Sequence, residues 1–138
     1  MLFELATPAR MLVTAEVDEI VAPGSEGYFG VLPGHAALLT TLGSGEVSYR
    51  SEQREHFLAV TGGFAEVRGE RVIILAENAE LPGEIDRERA ERARQRAEMR
   101  LQGRHPDGST EEIDFARAMA ALARALARLQ VASRAATI

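Results

Sequence analysis

Hydrophobic and polar positions change their period once along the chain, near residue 84. Before that point Met11, Val13, Ala15 and Val17 alternate with polar or longer residues, the period of two that a half-buried strand requires. The alternation returns within Glu46 to Arg50, around Val47 and Tyr49. His56 to Val60 is a short apolar run that stops at Gly62-Gly63, which reads as a tight turn. Phe64 to Arg68 restarts a strand, Gly69-Glu70 turns it, and Val72 to Ala76 is continuously apolar, as in a strand covered on both faces. Many short strands broken at Gly predict an antiparallel β-sandwich over residues 1–84.

After Leu81-Pro82-Gly83 the period lengthens. Residues 86–102 contain no Gly or Pro, and Gly103 to Gly108 is a turn-forming loop. Ser109 with Glu112 has the S-x-x-E spacing of a capping box for a helix of about residues 110–133. On it Phe115, Met119, Leu122, Leu126 and Leu129 step by four and three into an apolar stripe, beside a row of Ala116, Ala120, Ala123 and Ala127. The first helix offers Ala90, Ala93, Ala97 and Leu101 in return. Facing alanine rows let two backbones approach closely, so residues 85–138 are expected to form an antiparallel two-helix hairpin. Small side chains bury little area, at about 25 cal/mol per Å². The hairpin should be the less stable half, able to leave the sandwich and dock again.

Composition narrows the chemistry. With no cysteine among 138 residues, disulfide scaffolds, Cys-ligated zinc, iron–sulfur clusters and thiol catalysis are excluded. No apolar run approaches the roughly 20 residues of a membrane-spanning helix, which predicts a soluble, cytoplasmic protein. The net charge of −5 is unevenly spread: residues 1–84 carry five Arg against thirteen acids, residues 85–138 eleven Arg against eight. The positive half is too weakly basic, and too poor in aromatics, for a nucleic-acid footprint. Three scattered histidines with no H-x-x-x-H or H-E-x-x-H spacing argue against a metal site.

Three motifs then fall in order. Ser25 to His35, with Gly27, Gly30 and Leu32-Pro33-Gly34-His35, resembles the G-x-x-G-x-L-P-G-H loop of the epsilon subunit of F-type ATP synthases. Thr61-Gly-Gly-Phe-Ala-Glu-Val67 is similar to that family's [ST]-G-G-x-x-E-V strand turn, and Ile85 to Ala90 to its [IL]-D-x-x-R-A motif. The resemblance covers essentially the whole chain. It implies a ten-stranded sandwich on the rotor's central stalk and a hairpin that can extend along the gamma subunit. It further implies a peripheral place on the cytoplasmic face of the bacterial membrane, with gamma, the ring of the membrane sector and the alpha/beta catalytic head as partners. Residues Glu26, Gly27, Tyr28 and Phe29, with His35, become the ring and gamma contact; the family often has a carboxylate where Tyr28 stands.

In some bacterial members the third motif binds ATP, which makes Ile85, Asp86, Arg89 and Ala90 nucleotide-site residues here. Helical geometry extends the set. At 100° per residue Arg89, Arg96 and Arg100 fall within about 20° of one stripe, and Arg117, Arg124 and Arg128 follow the same steps. Two such rows in a hairpin would grip a triphosphate with charge-assisted hydrogen bonds. Glu80, Arg96, Arg124 and Arg128 join the site on these grounds. Helix capping alone also accounts for Asp86, and a solvated face for the arginines. No G-x-x-x-x-G-K-[ST] loop exists in a chain without Lys, so bound ATP is a regulatory signal rather than a substrate, and no cofactor is required.

Three readings remain open from residues alone. One is a non-catalytic rotor subunit that joins proton flow to ATP synthesis and restrains hydrolysis through its C-terminal helices. The second is a free-standing nucleotide sensor. The third, a small hydrolase using His35, has no nucleophile pinned beside that histidine by spacing. The resemblance favours the first.

Overall fold

A computed structural model of the chain describes residues 1–135. Eight strands come first: β1 (Leu2–Ala6), β2 (Met11–Glu16), β3 (Glu19–Gly24), β4 (Gly27–Val31), β5 (Leu38–Thr41), β6 (Ser44–Ser51), β7 (Arg54–Arg68) and β8 (Arg71–Glu80). A short 3-10 turn (Pro82–Glu84) leads to helices α1 (Arg87–Leu101) and α2 (Phe115–Arg134). The hydrogen-bonded order is β2-β1-β8-β7-β6-β3-β4, with β5 on β7. Pairing is antiparallel except between β1 and β8, which run parallel from Leu2↔Arg71 to Ala6↔Leu75.

The Gly62-Gly63 pair is not the turn expected of it. β7 continues through the pair without interruption, and both glycines have positive φ, 61° and 113°. The buried residues of β7 change parity across this point, from Leu58 and Val60 to Ala65 and Val67, and those of β8 change from Ile74 and Ala76 to Ala79. Residues before the glycines pair with β6, those after them with β5. One bend thus lets two long strands serve both layers of the sandwich, so eight continuous strands fill the ten expected positions. Only glycine tolerates the bend. A Cβ on Gly63 would lie 2.0 Å from the Leu75 carbonyl oxygen.

Phe3, Leu5, Ile20, Val47, Leu58, Val67 and Ile74 are among the side chains closing the core between the layers. The core is aliphatic, as the composition requires. The turn at Gly69-Glu70 does form, with Gly69 at φ 57°.

Helix α2 begins later than the S-x-x-E pattern indicates. Asp114, not Ser109, is its N-cap, its carboxylate accepting the Arg117 N–H at 3.0 Å; the Ser109 hydroxyl instead accepts from the Glu111 N–H within the loop. Asp114 stands immediately before Phe115, where its carboxylate meets the N–H three residues on, as an N-cap side chain does. Much of the apolar stripe is left uncovered. Phe115, Met119 and Leu126 are 51%, 63% and 47% exposed, whereas Ala118, Ala125 and Ala132, seven apart, are buried. They share the interior with Ala90 and Ala97 of α1. Alanine rows do form the hairpin, but Ala116, Ala120 and Ala123 are not in them.

Candidate functional site

The sandwich presents α2 with a row of three directly opposed residues: Glu46 on β6, Ala59 on β7 and Glu80 on β8. Ala59 is buried yet stands outside the sandwich core, because α2 covers this face. Each carboxylate takes an arginine. Glu80 accepts from Arg128 Nε at 2.5 Å, and Glu46, only 8% exposed, accepts two hydrogen bonds of 3.0 Å from Arg134. Two strand spacings are about 9.6 Å and six helical residues rise about 9 Å, so one helix spans both carboxylates. Arg134 also lies 4.4 Å over the Phe57 ring, and Gln130 reaches Glu46 at 3.4 Å. The hairpin is folded down in this structure.

Between α1, α2 and the end of β8 lies a cavity of about 470 Å³, within the range of small-molecule sites. Glu80, Asp86, Arg89, Ala90, Arg96, Arg124 and Arg128 all line it, seven of the eight residues read as a nucleotide site. The eighth, Ile85, does not; it closes the 3-10 turn, its N–H donating to the Pro82 carbonyl. Glu84 and Arg100 line the cavity too. Among the described residues the side chains of Arg89, Arg96, Arg100 and Arg124 have neither hydrogen bond nor ion pair. Ala93, Ala121 and Ala125 keep the walls low between them.

The carboxylates around the cavity, in contrast, are engaged. Glu84 is held in a two-pronged pair by Arg10 of the β1–β2 turn, at 2.8 and 2.6 Å, and accepts the Leu81 N–H. The Arg10 bonds and then the Leu81 bond hold its carboxyl down to about 2. Asp86 caps α1 by accepting the Arg89 N–H at 3.1 Å. On the far face of α1 Arg94 is bonded to Glu91 and Glu98, which raises its pKa, an i,i+3/i,i+4 surface network of the ordinary kind. Unpaired guanidinium groups facing one cavity are what an anion with several charged oxygens requires. Among the described residues no cluster of three metal-ligating side chains occurs.

The residues read as a ring contact are not one loop. Gly27 to Val31 is strand β4, so Glu26, in the β3–β4 turn, and His35 lie beyond its opposite ends. Phe29 packs partly against the core. Tyr28 turns sideways, its hydroxyl accepting the Glu46 N–H at 3.0 Å over Gly45, where a Cβ would lie 2.4 Å from that oxygen. The Nδ1–H of His35 donates to the Ala36 carbonyl at 2.6 Å, and His56 stacks on Tyr49. Missed from the pattern are the exposed Leu39 and the cross-strand pair Phe64 and Leu75, which lies beside an apolar cavity of about 630 Å³. Their alternation with buried neighbours was the available signal.

Comparison with known proteins bears on both halves. Residues 1–82 match the model of the ATP synthase delta/epsilon chain β-sandwich domain, and residues 84–133 that of its long α-helix domain. An ATP synthase epsilon chain of Moorella thermoacetica is 50% identical over 130 residues, 94% of this chain and 93% of that one. The epsilon chain 2 of Syntrophotalea carbinolica is 49% identical over 131 residues, 95% and 92% of the two. A chain in the mitochondrial ATP synthase of Euglena gracilis, solved with OSCP, F1 and c-ring, has the same fold at 24% identity, TM-score 0.74, covering 99% of this chain and 80% of that one. With both domains matched in tandem and near-half identity along almost its whole length, the chain belongs to the delta/epsilon family of ATP synthase, as an epsilon chain, a regulatory and structural subunit of that enzyme and not its catalytic one.

Proposed function

We propose that the protein is a rotor subunit in the central stalk of a proton-translocating F-type ATP synthase, and that its hairpin is a nucleotide-controlled brake on hydrolysis. The sandwich holds the gamma subunit and the membrane ring, on the cytoplasmic face of a bacterial membrane. ATP between α1 and α2 keeps the hairpin folded; when ATP falls, the hairpin opens toward the alpha/beta head and obstructs rotation in the hydrolysis direction. One observation carries this reading: four guanidinium groups without carboxylate partners line a cavity formed by two helices that meet through alanines. A weak interface and a multiply charged ligand site in one element allow the ligand to set the population of the folded state. The exposed Phe115, Met119 and Leu126 supply the apolar surface an extended α2 needs against another chain. A free-standing sensor would share the cavity but leaves Leu39, Phe64 and Leu75 uncovered.

Calorimetric titration of the full chain tests the ligand. Arg89→Ala and Arg124→Ala are each expected to weaken ATP by about 1.5–3 kcal/mol, roughly tenfold to hundredfold. Absence of binding heat for the unaltered chain at millimolar ATP overturns the nucleotide reading.

A further inference from the structure

Glu46 is held from two sides by different parts of the molecule. Its carboxylate lies under the end of α2 and accepts hydrogen bonds from Arg134, the last residue of that helix, and from Gln130. Its main chain lies where β6 has lost a neighbour. β3 pairs with β6 from Glu19↔Arg50 to Val21↔Ser48, and that pairing stops two residues short of Glu46. The hydroxyl of Tyr28 takes the place of the missing strand's carbonyl and accepts the Glu46 N–H at 3.0 Å. It can do so because residue 45 has no side chain: a Cβ on Gly45 would collide with that hydroxyl and lie 2.7 Å from the Pro23 Cβ.

Tyr28 comes from β4, the strand at the end of the sheet order, and it stays 58% exposed although its hydroxyl is engaged. One residue, Glu46, therefore joins an open edge strand to the contact that holds the hairpin down. We propose that Tyr28 is a positioning residue of this latch: its hydroxyl fixes the Glu46 main chain so that the carboxylate meets Arg134, and β4 is thereby coupled to the folded state of the hairpin. The assignment rests on reading the hairpin as an element that releases. The second clamp, Glu80 with Arg128, stands on β8, two strands away from β6, and has no part in this link. Coupling of this kind is reciprocal: whatever fixes Tyr28 from the open side of β4 favours the folded hairpin, and loss of the Arg134 bonds loosens Tyr28.

The test is Tyr28→Phe, which keeps the ring and removes the hydroxyl, in the full chain and again in a Glu46→Ala background, where the N–H remains and the carboxylate is gone. Amide hydrogen exchange is followed at Val131 and Ala132, buried in α2, and at Val67 and Ile74 of the sandwich core. Tyr28→Phe alone is expected to quicken exchange at Val131 and Ala132 about fivefold, close to the worth of one hydrogen bond, and to leave Val67 and Ile74 within about twofold. In the Glu46→Ala background the same change should alter α2 by less than about twofold, because the carboxylate through which it acts is absent. Unchanged exchange in α2, an equal quickening at Val67 and Ile74, or a fivefold effect that persists without the Glu46 carboxylate overturns the assignment and leaves the hydroxyl serving the sandwich alone. Exchange in α2 of the unaltered chain that is no faster than in the sandwich core overturns instead the reading of a releasable hairpin on which the assignment rests.

Discussion

At Gly63 a single missing methyl group decides how the sandwich is built. Its φ of 113° and the 2.0 Å approach of Leu75 exclude any side chain, so Gly63→Ala should destabilise the sandwich by at least about 2 kcal/mol, read as a lowered urea midpoint. Gly62→Ala meets the Glu77 carboxylate, the far end of a flexible side chain, and costs less. Glu84 carries a pH signature. Its carboxyl is held at about 2 against an ordinary 4.5, so its contribution to stability is present above pH 4.5 and is lost as pH falls toward 2. Exposure on both sides of the pair keeps that contribution small. Glu84→Gln should flatten the acid limb of a stability-against-pH curve in that window and leave it unchanged near pH 7. The glycine pair was visible in the sequence, but a bend through a strand and a turn between strands share the same signal, namely tolerance of positive φ. What distinguishes them is the partner strand, which lies far away in the chain.

For the helices, periodicity located the elements and the alanine packing between them, but not which alanines of α2 take part or that part of the larger apolar stripe stays exposed. Phe115, Met119 and Leu126 form the more hydrophobic stripe, yet the alanines are buried, because a close helix pair with a cavity beside it has no room for large side chains. The arginine rows were legible for a physical reason: spacing of seven and four keeps residues on one face whatever that face packs against. Arg100 shared that stripe but not the family motif, and only the cavity separates it from Arg117. Small interior side chains lead to a further expectation. Ala97→Leu should force the helices apart at a cost of about 1–3 kcal/mol, confined to the hairpin. Hydrogen exchange should then quicken in α1 and α2 and stay slow in β7 and β8. Equal acceleration in the sandwich would mean that the two halves melt together.

At the scale of the whole molecule, Glu46 and Glu80 decide how firmly the hairpin is held. Glu46→Ala removes both Arg134 bonds and should favour the released hairpin by about 1.5–3 kcal/mol, the worth of hydrogen bonds to charged groups. In an assembled synthase a braking hairpin has opposite outcomes for two changes. Ending the chain before residue 110 should raise ATP hydrolysis at low ATP, whereas Glu46→Ala should lower it. Equal rates for these complexes and the unaltered one at every ATP concentration would mean that the hairpin is no brake. Sequence reading reached the two-part architecture but not the clamp: Glu46 and Arg134 are 88 residues apart, and nothing local marks either.

The parallel pairing of β1 with β8 has a consequence for the order of folding. Leu2 must wait for Arg71, so β1 cannot take its place in the sheet until almost the whole sandwich has left the ribosome. The β6–β7 and β7–β8 hairpins, closed by local turns, can form first and serve as the template on which β1 and β2 settle. That late closure, over a long stretch of chain, is expected to limit the refolding of residues 1–80. The hairpin is synthesised last and meets a completed surface. Its arrival and departure therefore leave the sandwich's rate-limiting step untouched, and in refolding its docking should follow the closure of the sandwich.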